Sequence, residues 1–204
     1  MLITARQPND LDPISKKKEE IRRRQVSLAC RTDLLATLSA EICCHLLHDS
    51  NFKNAPTVGL YCPRIYEVDL TSLWHEDPNR CVFPKVIAER HDLYFFQVAD
   101  LSHLSPGFGG IKEPDVDESQ KVTRWKSGDL ILVPGILFDR WGGRIGSGLG
   151  YYDRFLANLS VGIVKWGICL ESHISDLRLP QAPHDVRMDA LCTEGGILPA
   201  VKKG

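Results

Sequence analysis

Residues 130–155 read LILVPGILFDRWGGRIGSGLGYYDRF. The first four are continuously apolar and are stopped by Pro134 and Gly135. A strand without polar alternation is covered on both faces, as the central, often parallel strands of α/β sheets are. At the other end Tyr152, Phe155, Leu156 and Leu159 recur at i, i+3, i+4 and i+7, which predicts a helix beginning near Tyr151. A loop of roughly ten residues joins the two and carries Gly146, Gly148 and Gly150. Ligands of open α/β sheets bind at this place, beyond the carboxyl end of a strand. Alternate glycines let amide N–H groups face a ligand that approaches the main chain closely. The adjoining helix start, with free N–H groups, favours an anion. Arg144 adds a planar fork of donors, so the pattern predicts a phosphate. It is not a P-loop, because no lysine follows the glycines, nor a dinucleotide fingerprint, because Tyr151 stands three residues after Gly148.

Strands and helices alternate outward from this stretch. KKKEEIRRR at 16–24 is helical in its charge pairs, Glu19–Arg23 and Glu20–Arg24. Thr32 or Asp33 can cap a second helix, whose apolar face carries Leu34, Leu38, Ile42 and Leu46. β-rich runs follow at 57–62, 81–86 and 93–98, with a short helix around Leu70, Leu73 and Trp74. Residues 112–121, KEPDVDESQK, form a polar loop, and 161–170, VGIVKWGICL, a second buried strand. Pro183 and the apolar residues after Asp189 suggest a turn entering a last strand. Alternation predicts the α/β class: one three-layer α/β/α domain with a central, largely parallel sheet over residues 16–204. Residues 1–15 are expected to be a flexible N-terminus.

Composition narrows the function. The 204 residues are 43% hydrophobic and 25% charged with a net charge of -1, so nothing overall calls for nucleic acid or an anionic membrane. No apolar run approaches the roughly 20 residues that span a bilayer, and the polar start lacks the layout of a secretory signal. Seven cysteines, mostly in apolar segments and without a CxxC, suit a reducing, cytoplasmic compartment. The chain is expected to act as a monomer on small molecules. Interleaved glutamates argue against reading KKKEEIRRR as an RNA-binding tract. Cys44 and His48 of CCHLLH could share a metal, but two ligands leave a tetrahedral site incomplete.

Asp153 stands where bound phosphates would repel it. Magnesium removes the conflict, since it takes one or two carboxylates together with substrate phosphates. Asp185 and Asp189 of HDVRMDAL are candidates for a second carboxylate, and Asp139 stays open as a helper.

These residues resemble the signature of the 5-formyltetrahydrofolate cyclo-ligases. There an aliphatic strand ends in Pro-Gly, Phe-Asp follows, and Arg-x-Gly-x-Gly-x-Gly-Tyr-Tyr-Asp leads into a helix, here Pro134–Gly135, Phe138–Asp139 and 144–153. KKEEIR, YCPRIYEVDL, GGIKEP and the stretch LPQAPHDVRMDALCTEGGI are similar to weaker family motifs in the same order, over roughly residues 16 to 198. The resemblance implies an ATP- and Mg²⁺-dependent closure of 5-formyltetrahydrofolate to 5,10-methenyltetrahydrofolate, releasing ADP and phosphate. It implies ATP contacts from Lys18, Glu19, Glu20, Ile21 and Arg22, and from Arg144, Ile145, Gly146, Ser147, Gly148, Leu149, Gly150, Tyr151 and Tyr152. Arg144 would be catalytic, stabilising charge during transfer. Cys62, Glu67 and the loop from Ser147 through Tyr151 would meet the folate, and Asp153 with Asp189 would hold magnesium. Ser147 and Leu149 depart from common members, which often carry an aromatic residue, glycine or a basic residue there. The competing reading is a relative that binds nucleotide or folate without turnover; ADP appearing only with 5-formyltetrahydrofolate separates the two.

Overall fold

The structure, a computed structural model, describes residues 12–26 and 32–202, with the backbone alone at 25, 26, 32 and 33. Most of the expected flexible N-terminus, the side chains of Thr32 and Asp33, and Cys30 lie outside the described residues. Five helices are described: α1 (Pro13–Val26), α2 (Thr32–His48), α3 (Ser50–Asn54), α4 (Ser72–Glu76) and α5 (Tyr151–Ala157). The strands of the first half are β1 (Val58–Gly59), β2 (Cys81–Ile87), β3 (Asp92–Gln97), β4 (Leu104–Pro106) and β5 (Lys112–Pro114). Then come β6 (Leu130–Pro134), β7 (Leu137–Asp139), β8 (Arg144–Ile145), β9 (Val164–Ile168), β10 (Ile174–Ser175), β11 (Ala190–Thr193) and β12 (Gly196–Pro199).

Seven strands form the main sheet in the order β12-β11-β9-β6-β1-β2-β3. Its five inner strands are parallel, and β12 and β3 close the two edges antiparallel. The apolar run that begins β6 is fully buried, and its side chains alternate between two cores. Leu130 and Leu132 join the core under α2, α3 and α4, with Ile42, Leu46, Phe52 and Leu73. Ile131 and Val133 join the core under α5, with Leu156. Period-2 alternation in an all-apolar strand therefore supplies both faces of a three-layer sandwich. A small sheet, β10-β7-β8, lies outside it, and Ile21 of α1 packs there against Leu137, Ile145 and Leu179.

Several local expectations change. Helix α1 begins at Pro13, where a proline at the first position forfeits no N–H bond. The Asp12 carboxylate caps it, accepting from the Ile14 and Ser15 N–H groups at 2.9 and 3.1 Å. On α2, Leu34 is half exposed and Leu35 is buried in its place, because 3.6 residues per turn drift away from a strict four-residue repeat. Residues 112–121 are not all loop: Lys112–Pro114 is β5, paired to β4, with Glu113 and Pro114 buried. The connection from β6 to α5 contains a hairpin, β7–β8. Residues 161–163 precede β9, and Val161 is fully exposed.

Candidate active site

The chain runs from β1 to one side of the sheet through β2 and β3, and from β6 to the other through β9, β11 and β12. The adjacent, parallel pair β1·β6 is therefore the switch point, and the segments leaving both carboxyl ends must face each other there. After β1 come Tyr61, Cys62 and the turn to Glu67; after β6 come the β7–β8 hairpin and the glycine loop.

The hairpin is shaped by Asp139, which is buried and accepts from the N–H groups of Trp141 at 2.9 Å, Gly143 at 2.8 Å and Leu179 at 2.8 Å. Its carboxylate is saturated by backbone donors, which makes it a turn organiser. Gly142 (φ 80°) lies against the segment before β11, since a Cβ there would stand 2.3 Å from the Met188 carbonyl oxygen. The Met188 N–H donates to the Gly142 carbonyl at 2.9 Å. This pinch brings residues 185–188 beside α5.

Arg144 is buried at the centre. Its Nη1 donates to the Pro134 carbonyl at 3.2 Å and its Nη2 to Asp153 Oδ2 at 2.9 Å. Asp153 Oδ1 accepts from the Val186 N–H at 3.3 Å. Helix α1 crosses the same rim: Arg22 Nε donates to the Gly146 carbonyl at 2.8 Å, and Lys18 is ion-paired to Asp185. Lys18, Arg22 and Arg144 thus converge on the glycine loop, whose crest, 147–149, is exposed. Gly148 (φ 98°) passes so near Arg22 that a Cβ would sit 3.1 Å from its guanidinium carbon. Gly150 (φ 69°) occupies the left-handed conformation just before α5.

The facing wall is held by Tyr61, whose hydroxyl donates to the Val68 carbonyl at 2.8 Å and closes the 61–68 turn. Glu67 Oε2 accepts the Arg64 N–H at 2.9 Å within it. Burial pushes the Glu67 carboxyl above its ordinary value, opposed by that N–H and by the Arg64 charge. Burial also pushes the Cys62 thiol up to about 12, with Lys112 acting in the other direction. Tyr152 lies between the walls, its ring 5.8 Å from the Arg144 guanidinium carbon and its hydroxyl in the field of Glu67. The loop between β4 and β5 reaches the same mouth, where Phe108 packs edge-on to Tyr151 at 5.5 Å.

Lys18, Ile21, Arg22, Cys62, Glu67 and Arg144 through Asp153 are thereby brought to one region. Glu19 and Glu20 instead pair with Arg23 and Arg24 at 2.5 and 2.6 Å on the outer side of α1. Asp189 is not brought to Asp153: it accepts from the Lys165 N–H at 2.8 Å and pairs with Lys165 Nζ at 3.1 Å, near the amino end of β9. Asp185 is the carboxylate beside Asp153, since the next residue's N–H bonds Asp153 directly. Its Oδ2 also accepts the Ala182 N–H at 2.6 Å. No cluster of three or more metal-ligating side chains occurs among the described residues. Two carboxylates on one rim, each accompanied by a cation, nevertheless fit an ion that completes its shell with phosphate oxygens and water. Phe108, which meets Tyr151, and Arg64 and Lys112, which lie beside Glu67 and Cys62, escaped the sequence reading.

Fold and site together define an α/β enzyme whose cleft lies at the switch point of a parallel sheet, beneath a glycine-rich loop. The chain belongs to the 5-formyltetrahydrofolate cyclo-ligase family, which residues 14–194 match. It is 29% identical to the mitochondrial 5-formyltetrahydrofolate cyclo-ligase of Arabidopsis thaliana, over 98% of this chain and 82% of that protein. It is 28% identical to a probable 5-formyltetrahydrofolate cyclo-ligase of Schizosaccharomyces pombe, over 88% and 96%. The solved 5,10-methenyltetrahydrofolate synthetase of Aquifex aeolicus superposes with a TM-score of 0.77 at 30% identity, over 92% of this chain and 94% of that one.

Proposed function

We propose that the chain catalyses the ATP-dependent closure of 5-formyltetrahydrofolate to 5,10-methenyltetrahydrofolate. The observation that carries this reading is Arg144. A buried guanidinium stands between a cation-lined glycine loop and a wall bearing Glu67 and Cys62. It can therefore serve a phosphate donor and a folate acceptor at once.

An N-formyl oxygen is a poor leaving group. Transfer of the γ-phosphoryl group breaks the β–γ P–O bond and forms a bond from phosphorus to the formyl oxygen, releasing ADP. N10 then attacks the formyl carbon, the C–O bond breaks, phosphate leaves, and N10 loses its proton to give the methenyl ring. Such chemistry asks the protein chiefly for alignment and charge neutralisation. Lys18 and Arg22, on one face of α1, meet the polyphosphate with the loop backbone from Ile145 to Tyr151. Arg144 stabilises charge on the transferring group. Glu67 accepts hydrogen bonds from pterin N–H groups beside Cys62. Asp153 and Asp185 would hold magnesium, which supplies neutralisation of phosphate charge. Asp189, held by Lys165, is left outside this set. The six described cysteines are free thiols, which suits a reducing compartment such as the cytosol.

Purified protein with ATP, Mg²⁺ and 5-formyltetrahydrofolate should develop the near-ultraviolet band of the methenyl product, with ADP formed only when the folate is present. Binding of both substrates without that band would leave a binding protein and reject the reading. Asp153→Ala should abolish the Mg²⁺-dependent turnover in the same assay, and Asp185→Asn should raise the Mg²⁺ concentration needed for half-maximal rate; Asp189→Asn should do neither.

A further inference from the structure

Three buried side-chain polar atoms among the described residues have no hydrogen-bond partner: Arg144 Nε, the Tyr152 hydroxyl and Gln181 Nε2. Buried polar groups are nearly always paired, so an orphan that a phenylalanine would avoid calls for a reason. Two of the three belong to the strand and helix that flank the glycine loop. The Tyr152 ring packs among the apolar residues under α5 and faces Arg144 at 5.8 Å. The Glu67 carboxylate on the opposite wall and the Arg144 guanidinium both act on its hydroxyl. The hydroxyl thus stands in reach of a charge from each side of the cleft, Arg144 and Glu67. A phenol is protonated at neutral pH, so the hydroxyl is a donor.

Resting on the cyclo-ligase reading, we propose that Tyr152 is a catalytic residue that donates a hydrogen bond to the formyl oxygen of the substrate. That oxygen is the folate atom that must reach the phosphate, and it has two lone pairs. One can attack phosphorus while the other accepts from Tyr152. An N-formyl group on a tertiary amide nitrogen has two planar rotamers of similar energy that interconvert slowly. A fixed donor beside Arg144 selects the rotamer whose oxygen points toward the nucleotide, which orients the pair for transfer.

Tyr152→Phe removes the donor and nothing else. Dissociation constants for 5-formyltetrahydrofolate and for 5-methyltetrahydrofolate, which lacks the oxygen, are measured by titration without ATP on both proteins. The variant should bind the formyl compound about tenfold more weakly and the methyl compound as wild type does. Its kcat should fall at least tenfold, with a melting temperature equal to or above wild type. Equal weakening toward both compounds would place the hydroxyl on the pterin and overturn the assignment. Unchanged binding and turnover would reduce it to an accident of packing, and overturn it too. Wild-type protein that binds neither folate would overturn the cyclo-ligase reading, and this assignment with it.

Discussion

Glu67 is held by the fold in a place that favours its uncharged form. Burial raises its carboxyl from the ordinary 4.5, and the Arg64 N–H and charge offset only part of that. A raised value in the folded state means that the group's stabilising contribution is present below its unfolded pKa and is lost as pH rises through the folded one. Glu67→Gln should therefore melt at or above the wild-type temperature at pH 7, and the difference should shrink toward pH 4.5. The same substitution should weaken folate binding about tenfold or more at pH 7. In wild type, folate affinity should fall as pH drops through the raised Glu67 value. Thermal melts and binding titrations over pH 4–8 check both, and a variant less stable at neutral pH would refute the burial argument. Arg144 makes a parallel case. Its fork reaches Pro134 and Asp153 together, which a single ammonium cannot match. Arg144→Lys should lower kcat about 10²-fold while folate affinity moves less than threefold; the reverse split would mean that Arg144 binds rather than stabilises transfer.

Between elements, the decisive contact is backbone on backbone. Gly142 lies in the left-handed region with the Met188 carbonyl where its Cβ would be, so Gly142→Ala meets strain and a clash that no side chain can relieve. A loss of about 2–4 kcal/mol in urea unfolding is expected. Gly109 (φ 65°) has open space around it, and Gly109→Ala should cost about 1 kcal/mol. Similar losses at both sites would deny the pinch its role. LILV announced a doubly covered strand because it is uniformly apolar, and the stripe from Tyr152 to Leu159 announced α5 because its spacing is helical. The β7–β8 hairpin was missed although two of the Asp139 partners, Trp141 and Gly143, are local as in an Asx turn; only the third, Leu179, is remote in sequence. Asp189 and Asp185 looked interchangeable by residue type. Topology separates them, because a residue immediately before a parallel strand lies at the edge away from the ligand. Asp185, four residues earlier, is still on the near side. The glycine loop was legible because backbone freedom leaves its mark in residue type; Phe108 and Lys112 were not, because their relations to Tyr151 and Cys62 exist only after folding.

Across the whole molecule, the sheet is parallel inside and closed by an antiparallel strand at each edge, so its switch point is unique and central. Helix α1 is not part of the sandwich; it is fastened at the rim by Ile21, Arg22 and the buried Lys18–Asp185 pair. A nucleotide that binds only the folded form should raise the melting temperature, by the equivalent of about 2.7 kcal/mol at a hundredfold excess over its dissociation constant. Arg22→Ala should remove most of that increment while the unliganded melting temperature stays within a few degrees. A full increment in the variant would put the nucleotide elsewhere.

The Lys18–Asp185 pair joins positions 167 apart in sequence. During synthesis, then, the anchoring helix precedes its counter-ion by ten of the twelve described strands. A nascent chain could complete most of its sheet and still lack the contact that fastens α1 to the rim. Any truncation upstream of residue 185 would leave α1 without this clasp, however well the interior had condensed.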